Sequence, residues 1–264
     1  MSYQNVVCGV DGSPEATEAV REAARIADPS ATMRLVNAIR PWFDLRNAPV
    51  GQQLATARRL EREAEQILAE ARSAADLRCP VETLTGEGWA SQVLLAEVAD
   101  DLKCLLALGP PAQGRFIGIL AEDSTASLLQ RAPCSVLVAR RPADPAAFPS
   151  HLVVGVDGSR GSEAAFAVAS ELRERHGAVI TPVVARGGKG IDIDGVGRIL
   201  RDYPFEVDDA SPANALRSAA ADADLVIVGS RGLHGARALG SVSERVVHTA
   251  VRSVLIVRGI AADQ

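Results

Sequence analysis

The chain has 264 residues, 47% of them hydrophobic and 23% charged, with a formal net charge of -5 and 3% aromatics. That length accommodates two ordinary domains with aliphatic cores, and the balance is globular rather than disordered. The acidic net charge argues against a nucleic-acid-binding surface, which needs a basic stripe. No apolar run approaches the roughly 20 residues that span a bilayer.

Residues 5–10 read as an apolar strand, and 14–27 as a helix with Ala16, Ala19, Val20, Ala23, Ala24 and Ala27 at helical spacing. A strand follows over 34–39. Leu54, Ala57, Leu60, Ala64, Ile67, Leu68 and Ala71 then mark a long helix with a charged outer face. Residues 81–85, 91–101, 104–108, 123–130 and 135–139 continue the alternation of strand and helix. Residues 141–150 hold three prolines and no period, and read as a linker. A second series begins with a strand over 151–156 and a helix over 162–175. Gly177 stands where a helix ends on a left-handed residue. Strands over 179–184, 204–207, 225–228 and 254–257, with helices over 212–221 and 241–249, complete it. The pattern predicts an α/β chain of two tandem domains, 1–140 and 151–264, each a parallel sheet covered by helices on both faces. The ligand crevice of such a sheet lies beyond the carboxyl ends of the strands, where strand order reverses.

The repeat is explicit in one run. Gly9-Val10-Asp11-Gly12-Ser13 returns as Gly155-Val156-Asp157-Gly158-Ser159. The carboxylate of Asp11 or Asp157 either accepts from a ribose hydroxyl or adenine amine, or simply makes a turn and a helix cap. Both readings stay open at this point. The copies diverge between strands two and four: Gly9 to Gly109 is 100 positions, Gly155 to Gly229 only 74. The long helix around Leu60 is replaced by a Gly-rich stretch over 186–201 with at most a short helix, which predicts a second crevice that is more open on that side.

A second run, Gly229-Ser230-Arg231-Gly232 through Gly240-Ser241-Val242-Ser243, follows strand four and opens onto a helix. Glycines admit close backbone approach, and the amides near Ser241 and Ser243 favour an anion. His234, Arg231 and Arg237 lie along it. It is neither a P-loop nor a dinucleotide fingerprint. The first copy reads as a disabled version. Pro110 and Pro111 lack N–H donors, Ala112 stands for Gly232, and Glu122 and Asp123 stand for Gly240 and Ser241. A carboxylate about 4 Å from a phosphate oxygen costs about 4 kcal/mol at an effective dielectric near 20. Equally, acidic residues at a helix N-terminus complement its dipole.

These motifs, with the closing strands Pro133-Cys134-Ser135-Val136-Leu137-Val138 and Arg252-Ser253-Val254-Leu255-Ile256-Val257, resemble the universal stress protein family in its tandem two-domain bacterial form. The resemblance spans nearly the whole chain. It implies Rossmann-like, doubly wound, five-stranded parallel sheets of order 3-2-1-4-5, joined through their last strands, and a homodimer. It also implies an adenine nucleotide, ATP or else ADP or AMP, with or without magnesium. Carried across, the nucleotide-binding residues are Val156 and Asp157 near adenine and ribose, Val184 at the end of strand two, and Val228 and Gly229 at the end of strand four. Gly232, Gly240, Ser241, Val242 and Ser243 would lie around the phosphates. The family pattern has nine residues where this chain has seven between Gly232 and Gly240.

The sequence therefore supports a regulatory, nucleotide-binding stress protein whose first site is degenerate. A nucleotide-free interaction protein and a slow ATPase are the alternatives. No catalytic constellation and no metal cluster can be argued from spacing. Cys8, Cys79, Cys104 and Cys134 show no metal-ligand spacing either; Cys8, Cys104 and Cys134 read as reduced core residues. The start of the chain shows no signal peptide, so the reading expects a cytoplasmic protein.

Overall fold

The computed structural model describes residues 3–39, 49–75, 77–110, 125–140, 142, 144–187, 191–201, 203–230 and 241–258. In the first half, strands and helices alternate as β1 (Asn5–Gly9), α1 (Pro14–Ile26), β2 (Thr32–Ile39), α2 (Val50–Ala74), β3 (Val81–Glu87), α3 (Ala90–Glu97), β4 (Leu105–Leu108), α4 (Thr125–Arg131) and β5 (Ser135–Val138). The second half follows as β6 (His151–Gly155), α5 (Arg160–His176), β7 (Val179–Ala185), α6 (Ile193–Leu200), β8 (Val207–Asp208), α7 (Pro212–Ala219), β9 (Leu225–Gly229), α8 (Ser241–Thr249) and β10 (Ser253–Val257).

All of these strands form one ten-stranded sheet of order β3-β2-β1-β4-β5-β10-β9-β6-β7-β8. Each half is thus a doubly wound parallel sheet of order 3-2-1-4-5. The halves meet through the antiparallel pair β5–β10, with Leu137 opposite Leu255. That pairing was the expected fate of two apolar closing strands whose open edges would otherwise invite association. One face is covered by α1, α2, α5 and α6, whose Ala19, Leu68, Ala165 and Val196 share a single core with strand residues of both halves. The other is covered by α3, α4, α7 and α8 through Leu94, Leu128, Leu216 and Val246. Cys8 on β1, and Cys104 and Cys134 just before β4 and β5, are buried as expected of core residues.

The repeated run does the same local work twice. The Oδ1 of Asp11 accepts from the N–H and hydroxyl of Ser13, whose Oγ accepts from the Ala16 N–H and caps α1. Asp157, Ser159 and Ser162 repeat this at α5. Gly12 (φ 84°) and Gly158 (φ 83°) take the left-handed turn between them. Gly177 closes α5 at φ 70°, the predicted left-handed cap.

Three expectations need correction. The strand expected over 204–207 is only the two residues of β8, since just Val207 and Asp208 pair with β7. The long helix α2 buries Ala64, Leu68 and Ala71, but Leu54, assigned to its apolar face, is 56% exposed. The stretch that replaces α2 in the second half does not open the crevice. Its helix α6 buries Val196 and Leu200 in the core, and a Cβ on Gly158 would come within 2.8 Å of the Asp192 Cβ. An eight-residue helix therefore closes that side, as the end of α2 does in the first half, where Ile67 lies 3.3 Å from a Cβ on Gly12.

Candidate functional site

The second half holds a crevice of about 210 Å³ beyond the carboxyl ends of β6, β7 and β9. Its position follows from topology: β6 and β9 are neighbours whose crossovers leave toward opposite faces, the switch point of a doubly wound sheet. Val156 and Asp157 come to it from the β6–α5 turn, Val228 and Gly229 from the end of β9, and Val242 and Ser243 from the start of α8. Six of the residues named from sequence are therefore brought together.

Close approach of backbone shapes the floor. A Cβ on Gly229 would overlap the backbone of Gly161 and lie 2.7 Å from the Ser162 nitrogen, and one on Gly161 would lie 2.7 Å from the Ser230 carbonyl oxygen. Two facing glycines thus let the first turn of α5 settle on the end of β9. In the first half, a Cβ on Gly109 would meet Glu15 at a looser 3.3 Å. The crevice walls differ too. Around Gly155 the nearest side-chain atoms, of Leu216 and Val228, stand 3.5 Å from a Cβ position; around Gly9, Leu94 and Leu108 stand at 3.0 and 3.1 Å. Leu108 is one methylene larger than its counterpart Val228, and the first half is packed more tightly at the equivalent place.

Val184 lies one residue before the end of β7, but its side chain is 1% exposed in the core under α5 and α6. Its neighbours Val183 and Ala185 point the other way and line the crevice. The parity of a strand decides this, since successive side chains alternate faces. Gly232 and Gly240 lie outside the described residues, as do Arg231, His234, Arg237 and the first-copy residues Pro111, Ala112, Glu122 and Asp123. Ser241 begins α8; its side chain is not among those described.

Sequence reading missed several lining residues: Ser159 and Ser162 below the turn, Ile191 from the segment before α6, Pro212 and Leu216 of α7, and Arg186 and Arg245. The Ser-Pro start of α7 was a legible helix opening; what could not be read was that it faces this crevice. The walls are mostly aliphatic. Ser159, Ser243, Asp157 and the two arginines supply the polar groups, an arrangement suited to a small amphipathic ligand with a planar or apolar part and an anionic part. Among the described residues, no cluster of three or more His, Cys, Asp or Glu side chains is placed to hold a metal ion. No described helix is long and apolar enough to cross a membrane.

Comparison with known proteins gives a consistent answer. The family model described as the universal stress protein family matches residues 2–140 and 201–258. A universal stress protein of Mycobacterium tuberculosis H37Rv is 28% identical, with 97% of each chain covered. One from Mycolicibacterium smegmatis is 30% identical over 96% of each. Among solved structures, a universal stress protein from Archaeoglobus fulgidus superposes with a TM-score of 0.76 over 99% of this chain and 98% of its own, at 14% identity.

Proposed function

The chain belongs to the universal stress protein family, and from that premise we propose that it is a regulatory protein that binds one adenine nucleotide, in the second-half crevice. The observation that carries this reading is the convergence of Val156, Asp157, Val228, Gly229, Val242 and Ser243 on a single crevice at the switch point. Asp157 is pre-oriented there, because its Oδ1 is held by both donors of Ser159. The aliphatic walls from Val183, Ile191 and Leu216 suit a purine face, and the carboxylate suits a ribose hydroxyl. The phosphates would run toward the start of α8, where Ser243 lines the crevice and unpaired helix amides favour an anion. Magnesium, if it accompanies the nucleotide, would be held by phosphate oxygens and water rather than by a protein cage. The first half, with Leu94 and Leu108 crowding the matching space, is read as a structural partner.

Calorimetric titration of the full chain with ATP, ADP and AMP, each with and without magnesium, tests this. One site per chain is expected. Gly240→Glu should abolish phosphate-dependent binding, and Asp157→Ala should weaken binding by about tenfold (about 1.4 kcal/mol), while Asp11→Ala leaves it unchanged. No binding at millimolar nucleotide would overturn the reading, and an equal loss in Asp11→Ala would move the site to the first half.

A further inference from the structure

The first helices of the two halves are one element in two copies, both capped by the serine of the repeated run, so Pro14 of α1 matches Arg160 of α5. Where α5 carries Ala164, Ala167, Val168 and Glu171, α1 carries Glu18, Arg21, Glu22 and Arg25. At the position that matches Glu22 the α5 copy packs a small apolar side chain, Val168, which is 2% exposed. The α1 copy instead buries a carboxyl. Glu22 is 1% exposed; one of its oxygens accepts from the Ser253 hydroxyl at 2.8 Å, and the other has no hydrogen-bond partner among the described residues. A buried polar group left unpaired is destabilising, a cost the sister helix avoids.

Glu22 lines a cleft of about 600 Å³ between α1, the end of α2 and the chain leading into β6. The size is that of a small-molecule site. Leu77 and Phe148 give it an apolar wall. Arg21 is committed, to the Ala74 carbonyl and the Glu18 carboxylate. Among the described residues, Arg25 spends Nη1 on the carbonyls of Ala146 and Phe148, and Arg78 is exposed at the rim. Among the described residues, the charge left over on the cleft is positive.

We propose that this cleft is a second ligand site, for a small organic anion whose carboxylate or phosphate head lies between Arg25 and Arg78, above the buried Glu22 carboxyl, and whose apolar body rests on Leu77 and Phe148. Glu22 stands there as a neutral acid. Burial pushes its carboxyl up to about 9, the Ser253 hydroxyl opposes that, Glu18 and Asp224 add to it, and Arg140 opposes it again. At neutral pH the group is protonated and leaves the arginines' charge uncompensated, where an ionised carboxylate beneath the cleft would repel the anion.

The test is calorimetry on the full chain with benzoate and phenyl phosphate as the two anionic heads and benzamide as the neutral analogue. At least one anion should bind, benzamide should not, and affinity should fall as pH rises through about 9. Replacing α1 residues by their α5 counterparts, Glu22→Val with Arg25→Glu, should weaken the anion at least tenfold, as should Arg78→Glu, an exposed change that spares the core. Any loss of folding in the double variant, checked by circular dichroism, leaves Arg78→Glu as the deciding measurement. No binding of either anion at about 10 mM, equal binding of benzamide, or affinity unchanged in Arg78→Glu would overturn the proposal.

Discussion

Glu22 also sets how stability responds to pH. Its carboxyl titrates near 4.5 when free and at about 9 in the fold. Between those values the folded chain keeps a proton that the unfolded chain has released. The stability the neutral acid confers is therefore complete below pH 4.5, declines as pH rises, and is exhausted above about 9. By pH 7 the decline amounts to about 3 kcal/mol. Glu22→Gln should flatten this slope, with chemical denaturation at pH 5, 7 and 9 giving midpoints closer together than in the wild type. A parallel wild-type slope would show that another group carries it. Nothing in the one-dimensional pattern flagged Glu22, since a Glu on an amphipathic helix reads as solvated; it is buried where α1 meets Ser253, a residue 231 positions away in sequence. Asp11 and Asp157 are the opposite case. Their cap chemistry was legible, because a Ser two positions along and a helix just beyond fix the geometry locally. Val184 was legible as a position and not as a direction, since face depends on the parity with which β7 enters the sheet.

At the scale of elements, the glycines at the ends of the fourth strands separate two otherwise equal halves. Gly229 faces Gly161 backbone to backbone, whereas Gly109 faces Glu15 with room for small adjustment. Gly229→Ala must push α5 off the end of β9, at a cost of about 1–3 kcal/mol for an overpacked site; Gly109→Ala should cost well under half of that. Thermal unfolding of the two variants checks the contrast, and equal losses would contradict it. The alternation of elements was readable because apolar runs and Ala-rich periods are local signals. The closure of the second crevice was not, because it depends on a contact between Asp192 and Gly158, 34 positions apart in sequence. Nor was the shortness of β8: the apolar residues around Phe205 looked like a strand but pack on the core beside Tyr203 rather than entering the ladder.

The whole molecule is bound at its centre by a pseudo-symmetric clasp. Just beyond each closing strand an arginine crosses to the other half. Arg140 donates its backbone N–H to the Ser253 hydroxyl and its guanidinium to the carbonyl of Val247; Arg258 does the same to Ser135 and Leu129. Both arginines thereby satisfy carbonyls at helix C-termini, where positive charge is favoured, and hydrogen bonds to a charged donor are worth about 1.5–3 kcal/mol each. Around them the sheet is continuous, and one core joins Leu35 of the first half to Leu152 of the second. Two domains that shared only a linker would unfold separately; these halves should unfold together. The tryptophans allow a direct measurement, because Trp42 and Trp89 both lie in the first half, whereas helices lie in both. Tryptophan fluorescence and far-ultraviolet circular dichroism should report coincident urea transitions in the wild type. Arg140→Ala with Arg258→Ala should lower the common midpoint and begin to part the two curves, since it weakens the seam while leaving each half's own sheet intact. Fluorescence and dichroism transitions that already differ in the wild type would show that the seam, however complete its hydrogen bonds, does not couple the halves.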